Sequence, residues 1–316
     1  METMRAIRMH EYGGPGVLRL EEVRRPEPGR GEILVRVHAA GVNPVDGKTR
    51  SGRGAAGRIT RPFPIILGWD FSGTVEALGE GVTEFAPGAE VYGMVRIPDE
   101  GTYAEYVVVP VEHAAPKPKT LGHEEAAAVP LVALTAHQAL FGAANLSPGQ
   151  TVLIHAGAGG VGHVAVQFAR GCRVLATASA RNHDFVRSLG AAQVIDYENE
   201  RFEERVRGAD VVLDTVGGEV QIRSFSVLKW GGTLVSIRST PSAAIAEQRG
   251  VRAKSVFVQP NGEQLRRLAA RIDAREVRPR VTCVLSLADA GLAQSLVEQG
   301  HTRGKIVLRV AETGGR

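Results

Sequence analysis

A chain of 316 residues with 43% hydrophobic content is long enough to bury two cores and suits about two domains. Lys plus Arg exceed Asp plus Glu by only 38 to 34 and are dispersed, so the pI near 9.3 is a weak sign of nucleic-acid binding, and nucleic acid is disfavoured as a partner. No apolar run approaches the roughly 18 residues of a transmembrane helix, Met1 to Arg5 opens no signal-peptide core, and Cys172 and Cys283 are isolated; the expectation is a soluble, cytoplasmic chain that does not engage a membrane and has no four-cysteine zinc site.

In chain order, strand-like runs such as Ile33 to Val37 and Tyr106 to Val109 are separated by Gly and Pro turns without strand-helix alternation, which predicts a mainly β domain. Pro110 ends the last of these strands, Pro116-Lys117-Pro118 reads as a linker, and His123 to Leu140 reads as helical. The apolar run Val152-Leu153-Ile154 then delivers the chain into Gly157-Ala158-Gly159-Gly160-Val161-Gly162, followed by Val164, Ala165, Phe168 and Ala169 at helical spacing. This is the G-x-G-x-x-G pattern of a dinucleotide-binding turn. Glycine permits a tight turn and close approach of backbone to a pyrophosphate, and the following helix presents its free amides and positive dipole end to the phosphates.

Downstream come strands at 173–177, 193–196, 209–214, 233–237 and 255–258, interleaved with helical segments at 181–189, about 202–206 and 219–228. The alternation predicts an α/β domain with a doubly wound, six-stranded parallel sheet. The tail carries a helix at 264–272, an apolar stretch at 281–287, a helix near 288–298 and a strand at 305–310, and is expected to return to the first domain. The predicted organisation is therefore 1–122 with 261–316 as one domain and 123–260 as the other.

The tip of the second strand bears on cofactor choice. An acid there would grip the ribose 2′-hydroxyl of NAD, but the segment reads Ala178-Ser179-Ala180-Arg181-Asn182-His183. Ser179 and Arg181 suit the 2′-phosphate of NADP(H). A helix cap and a solvated first-turn arginine are the plainer alternative. Cys172, beside the second strand, reads as a buried small hydrophobe.

Several segments occur in one order: Gly41-Val42-Asn43-Pro44-Val45-Asp46-Gly47-Lys48, Gly68-Trp69-Asp70-Phe71-Ser72-Gly73, Gly101-Thr102-Tyr103-Ala104-Glu105-Tyr106, Leu134-Thr135-Ala136, the glycine turn, Asp214-Thr215-Val216-Gly217-Gly218 and Arg303-Gly304-Lys305. Together they resemble the zinc-free quinone oxidoreductase branch of the medium-chain dehydrogenase/reductase superfamily over nearly the whole chain. The resemblance implies a GroES-like, mainly β catalytic domain, a Rossmann domain for NADPH, and an active site in the cleft between them. Zinc-dependent relatives bind metal where Asn43 and Trp69 stand here, and neither residue replaces a lost zinc ligand.

Without a Lewis-acid metal the acceptor must already be electrophilic, as a quinone or an α,β-unsaturated carbonyl is. The resemblance then points to Lys48 as the cation for negative charge developing on the acceptor oxygen and to Asn43 as a neutral donor, with Asp46 orienting Lys48 or only capping the helix. It also places Thr135 near the nicotinamide carboxamide; Val216 and Gly217 follow the fourth strand and Phe257 and Val258 end the sixth, where doubly wound sheets bind ligands at strand carboxyl ends, as backbone-type contacts. Tyr197 is expected near the adenosine or the 2′-phosphate, or as an ordinary strand-end residue, and Gly304 and Lys305 are expected near the cofactor from the tail, a solvated residue opening its strand being the favoured reading of Lys305. Compared with the same family the stretch from Phe168 to Cys172 is short, so the first helix of the Rossmann domain is expected to end early. Tyr103 and Tyr106 are expected to pack the β domain, and His155 to end a strand rather than act as a base. The loop from Arg50 to Phe63 is the expected acceptor lining. Two classes stay open, an NADPH-dependent oxidoreductase of quinones or enones and a noncatalytic NADPH-binding regulator or nucleic-acid binder; a homodimer is expected in either case.

Overall fold

The computed structural model describes residues 2–53, 62–97 and 101–310. The chain divides into two compact units, one formed by residues up to Leu131 together with those from Pro260 onward, the other by Val132–Gln259.

In chain order the first unit begins with β1 (Thr3–Met9), β2 (Arg19–Arg24), β3 (Glu32–Val42), α1 (Pro44–Arg50), β4 (Ile65–Ile66), β5 (Asp70–Leu78), β6 (Glu90–Met94), β7 (Tyr106–Pro110), β8 (Ala114–Pro116) and α2 (His123–Ala127). Helix α3 (Pro130–His137) follows and runs into a π-helical turn at Gln138–Ala143. The second unit continues with β9 (Thr151–Ile154), α4 (Gly160–Phe168), β10 (Arg173–Ala178), α5 (His183–Ser188), β11 (Gln193–Asp196), α6 (Phe202–Arg205), β12 (Ala209–Asp214), α7 (Gly218–Ser224), β13 (Leu228–Ser236), α8 (Ala243–Arg249) and β14 (Arg252–Ser255). The tail supplies α9 (Gly262–Asp273), β15 (Val281–Ser286), α10 (Ala290–Glu298) and β16 (Lys305–Arg309) to the first unit.

Long β3 organises the first unit because it is buried along almost its whole length. Among the described residues the sheet runs β15-β16-β3-β5-β6-β8, with β7 also paired to β3. A smaller sheet, β2-β1-β4, stands beside it. The tail strand β16 lies antiparallel against the end of β3, pairing Ile306 with Val42 and Val307 with Gly41. This pairing carries Lys305 to the residue that follows β3.

In the second unit the six strands are parallel in the order β11-β10-β9-β12-β13-β14. Order reverses beside β9, and doubly wound sheets bind ligands at the carboxyl ends of strands next to such a switch point. Leu153, Leu175, Val212, Phe225 and Leu234 are buried in its core, as an apolar sheet covered by helices on both faces requires.

Several boundaries differ from the sequence reading. The segment 123–140 is broken between α2 and α3 at Pro130, which lacks the N–H needed inside a helix and opens a new one instead; α2 belongs to the first unit. The helix read at 181–189 is a 3-10 turn, Ala180–Asn182, followed by α5. Leu228, read as a helix end, begins β13. The last strand of the sheet is Arg252–Ser255, so Phe257 and Val258 lie beyond its end. Its four residues are polar or small, and all but Ala253 are exposed, which leaves no apolar run for a sequence reading to detect. Helix α4 does end early, at Phe168, and β10 opens in register with β9, Arg173 opposite Thr151. Cys172 is only partly buried, with its Sγ against Ser147 O at 3.2 Å, and both cysteines are free.

Candidate active site

Apart from Thr135, which lies on α3, the second unit places its predicted cofactor residues beyond the carboxyl ends of its strands. Beyond β9 the chain turns through Ala156, whose φ of 50° is unusual for a residue with a side chain. The turn is pinned to the neighbouring strand by Gly157 N–H to Thr177 O at 2.8 Å and Ala156 N–H to Thr177 Oγ1 at 3.1 Å. A Cβ on Gly162 would sit 2.1 Å from Ala156 O, so only glycine lets α4 press this closely on the turn. Gly159 opens α4 with no side-chain cap, leaving the first-turn amides to a ligand of negative charge. The residues of this cradle therefore fit a dinucleotide pyrophosphate.

His155 is buried beside the turn, and burial lowers its pKa to about 4. Ser224 O–H is committed to Val220 O at 2.6 Å, so Ser224 Oγ accepts from His155 Nε2–H at 2.8 Å. Thr177 Oγ1 lies 3.2 Å from His155 Nδ1. With both nitrogens engaged and the ring neutral, this histidine is part of the sheet's support and not a base.

After β12, Asp214 holds the loop that carries Val216 and Gly217. Its carboxylate accepts from Val216 N–H at 2.9 Å, Gly217 N–H at 2.7 Å, Gln221 Nε2 at 2.9 Å and Ser236 Oγ at 2.7 Å. Sequence reasoning took Asp214 as a strand residue; its position just before Val216-Gly217-Gly218 was the available signal. Val216, Tyr197 and Phe257 are apolar or aromatic yet 42%, 51% and 51% exposed, while Val258 and Thr135 are buried.

At the tip of β10, Ser179 is buried and accepts from Asn182 Nδ2 at 3.1 Å, and Arg181 is exposed. The neighbouring strand brings an acid that the β10 segment itself lacks: Asp196 pairs with Ala178 across the sheet. Hydrogen bonds from Asn199 Nδ2, and with less effect from the Glu198 and Ala180 N–H groups, hold its carboxyl below the usual range. The Asp196 charge is thus spent on loop amides beside the expected phosphate site.

The first unit gathers the other group. Asn43 follows β3 and stands at the N-cap position of α1, and Asp46 closes back on it, accepting from Asn43 N–H at 2.8 Å. Tyr103 O–H donates to the same Asp46 oxygen at 2.5 Å, so Tyr103 packs the domain with its ring and orients Asp46 with its hydroxyl. Asp46 is fully buried, and that burial pushes its pKa up to about 7 against the opposing pull of these hydrogen bonds and of Lys305.

The sequence reading offers the Asn43 amide to an acceptor. In the folded chain its Nδ2 donates to Asp70 Oδ2 at 2.9 Å, and its Oδ1 accepts from Lys305 Nζ. Lys305 is not a solvated residue at its strand's start; it is 3% exposed because the β16–β3 pairing turns it inward. Lys48 lies half-buried on α1, and Arg50 is buried, donating to Gly13 O, Gln294 Oε1 and Glu298. Trp69 is buried at 1% exposure. Of the expected acceptor lining, residues 54–61 lie outside the described residues.

Two family profiles match, one described as alcohol dehydrogenase GroES-like domain over residues 29–119 and one as zinc-binding dehydrogenase over 189–308. A mitochondrial NAD(P)H oxidoreductase of Danio rerio is 35% identical, covering 89% of this chain and 84% of its own length. An NADPH-dependent alkenal/one oxidoreductase of Arabidopsis thaliana chloroplasts is 34% identical over 97% of this chain and 80% of its own. The solved quinone oxidoreductase of Coxiella burnetii superposes with a TM-score of 0.93 at 39% identity, covering 98% of this chain and all of that one. The chain belongs to the zinc-free quinone oxidoreductase-like branch of the medium-chain dehydrogenase/reductase superfamily.

Within this branch the word zinc in one family description needs a chemical reading. A carboxamide already bonded to a carboxylate and an ammonium, and an indole, are not a zinc donor set. The quinone oxidoreductase-like chain brings Asn43, Asp46 and Lys305 into one hydrogen-bonded cluster and adds Asp70 and Tyr103, which sequence reasoning had not assigned to the site. Among the described residues, no helix is long and apolar enough to cross a membrane.

Proposed function

We propose that this chain is an NADPH-dependent oxidoreductase that reduces quinones or α,β-unsaturated carbonyls without zinc. The observation that carries the reading is the uncapped start of α4 above the Gly157 to Gly162 turn, in a chain whose relatives include an NADPH-dependent alkenal/one oxidoreductase and a quinone oxidoreductase. NADPH, when bound, supplies the hydride. The turn amides of Gly157, Ala158, Gly159, Gly160, Val161 and Gly162 hold the pyrophosphate, and Ser179 with Arg181 holds the 2′-phosphate. Thr135, Val216, Gly217, Phe257 and Val258 are assigned to the nicotinamide side, Tyr197 to the adenosine side and Gly304 to the approach from the tail.

Lys48 is assigned to the acceptor, where its ammonium stabilises the negative charge that develops on the carbonyl oxygen; the proton that completes the product comes from solvent. Asp46 is assigned to holding the start of the helix that carries Lys48. A cytoplasmic setting and a homodimer are part of the same proposal, the second checked by sedimentation of the purified chain.

The test is NADPH consumption with a panel of quinones and enones, with products identified by mass. Turnover of at least one acceptor class is expected. Tight NADPH binding with no turnover on any of them would favour the noncatalytic alternative. Lys48→Met is expected to lower the single-turnover rate about tenfold or more at unchanged NADPH affinity, and an unchanged rate would remove Lys48 from the mechanism.

A further inference from the structure

We propose that Lys305 and Asp70 are positioning residues: a buried ammonium–carboxylate pair that clamps the Asn43 carboxamide and so aims the short helix carrying Lys48. The inference rests on the proposed reductase function and goes beyond it.

The geometry begins with the tail. Gly304 has a φ of 75°, and a Cβ there would lie 2.2 Å from Arg280 O, so only glycine brings the chain into β16 along this path. Lys305 N–H then bonds Arg280 O at 2.8 Å, and the side chain turns in toward the end of β3. An ammonium has three protons. Three oxygens receive them: Val42 O at 2.9 Å, Asn43 Oδ1, and Asp70 Oδ2 at 3.2 Å.

The clamp defines one orientation of the Asn43 amide. Its oxygen faces the cation and its nitrogen donates to the carboxylate; turned over, the NH2 would meet the ammonium and the oxygen would meet Asp70. Asp70 is itself immobilised, since its other oxygen accepts from Leu131 N–H at 2.6 Å. Lys305 and Asp70 are 3% and 0% exposed, and a pair this deeply buried is a poor source of net stability compared with apolar side chains of the same volume. Orientation is what it supplies that apolar residues would not. Helix α1 has seven residues, too few to hold its own direction: Arg50 ties its last turn to Gly13, Gln294 and Glu298, and its first turn is set by Asn43, whose side chain is held by the clamp and whose N–H is held by Asp46. Lys48 follows one helical turn later.

The experiment compares the parent with Lys305→Met, Asp70→Asn and the double variant Asp70→Asn/Lys305→Met, which removes both charges and leaves none buried alone. Single-turnover reduction of a quinone, NADPH affinity and Tm are measured for each. The expected result is a rate about tenfold or more below the parent in Lys305→Met and in the double variant, with NADPH affinity within about twofold and the double variant's Tm near the parent's. A double variant as fast as the parent, or rate losses that merely follow Tm, would overturn the proposal.

A second readout needs no cofactor. In the apo protein the Asn43 side-chain NH2 is expected to exchange slowly with solvent in the parent and at least about tenfold faster in the double variant. Unchanged exchange overturns the clamp even if the parent reduces no acceptor, in which case it is the proposed function that fails separately; accelerated exchange with unchanged rates overturns the positioning role.

Discussion

Burial lifts the Asp46 carboxyl to about 7, because the Tyr103 and Asn43 hydrogen bonds and the Lys305 charge only partly offset the loss of water, and Asp70 adds repulsion. The folded value lies above the unfolded one. Between about pH 4 and pH 7 the folded chain therefore holds a proton that the unfolded chain has released, and stability falls as pH rises through this window by about 1.4 kcal/mol per pH unit at most. His38 and His123 act the other way below their ordinary value, since burial foremost lowers both, so the raw curve mixes opposite slopes. Asp46→Asn keeps an oxygen for the Tyr103 and Asn43 donors while removing the titration. Urea unfolding at several pH values should show the parent losing stability relative to Asp46→Asn from about pH 5 to about pH 7; parallel curves would mean that Asp46 is ionised in the folded chain. At the other group, Arg181→Ala should raise the Kd for NADPH about tenfold or more and that for NADH about twofold or less, read by fluorescence titration. Equal weakening would remove Arg181 from the 2′-phosphate site.

Among the elements, the β9–α4 unit shows how local pattern and close packing meet. An apolar strand and a glycine run were readable because both are short-range signals: period, turn chemistry and helix start lie within twelve residues. Gly162→Ala puts a methyl 2.1 Å from a backbone oxygen that has no freedom to withdraw, so α4 must shift from the turn. A loss of about 1–3 kcal/mol in unfolding free energy and a drop of about tenfold or more in NADPH affinity are expected, by denaturant titration and direct binding. Parent-like values in both would show that the turn has slack. Elsewhere the element reading failed where local signals mislead. Among the described residues β14 lies at an edge of its sheet and its Arg252-Ala253-Lys254-Ser255 offers no apolar run, and the helical segment from His123 was read through Pro130 because its apolar residues continue on either side of the break.

At the scale of the whole chain, the second unit is an uninterrupted stretch and the first is assembled from two distant ones. A ligand bound only by folded chain stabilises it by mass action, about 2.7 kcal/mol at a concentration 100 times its Kd. Calorimetry with saturating NADPH should accordingly raise the unfolding temperature of the parent, and far less that of Gly162→Ala at the same concentration. No shift in the parent would refute NADPH binding. The relatives cover both units, in agreement with a family read from ordered segments spread over nearly the whole sequence.

The amino-acid sequence by itself determined the parallel sheet and the nucleotide turn, since each is written in neighbouring residues, and, through motifs that occur in one order along the chain, the branch of the superfamily and the absence of zinc-ligand chemistry at Asn43 and Trp69. It could not say that Lys305 is buried, that Asp70 and Tyr103 join Asn43 and Asp46, or that Asp196 adjoins the tip of β10. Those facts depend on strand pairing. Lys305 reaches Asn43 across 262 positions only because β16 lies against β3, and once water is excluded there an exposed-looking lysine becomes the cation that a buried carboxylate and carboxamide require.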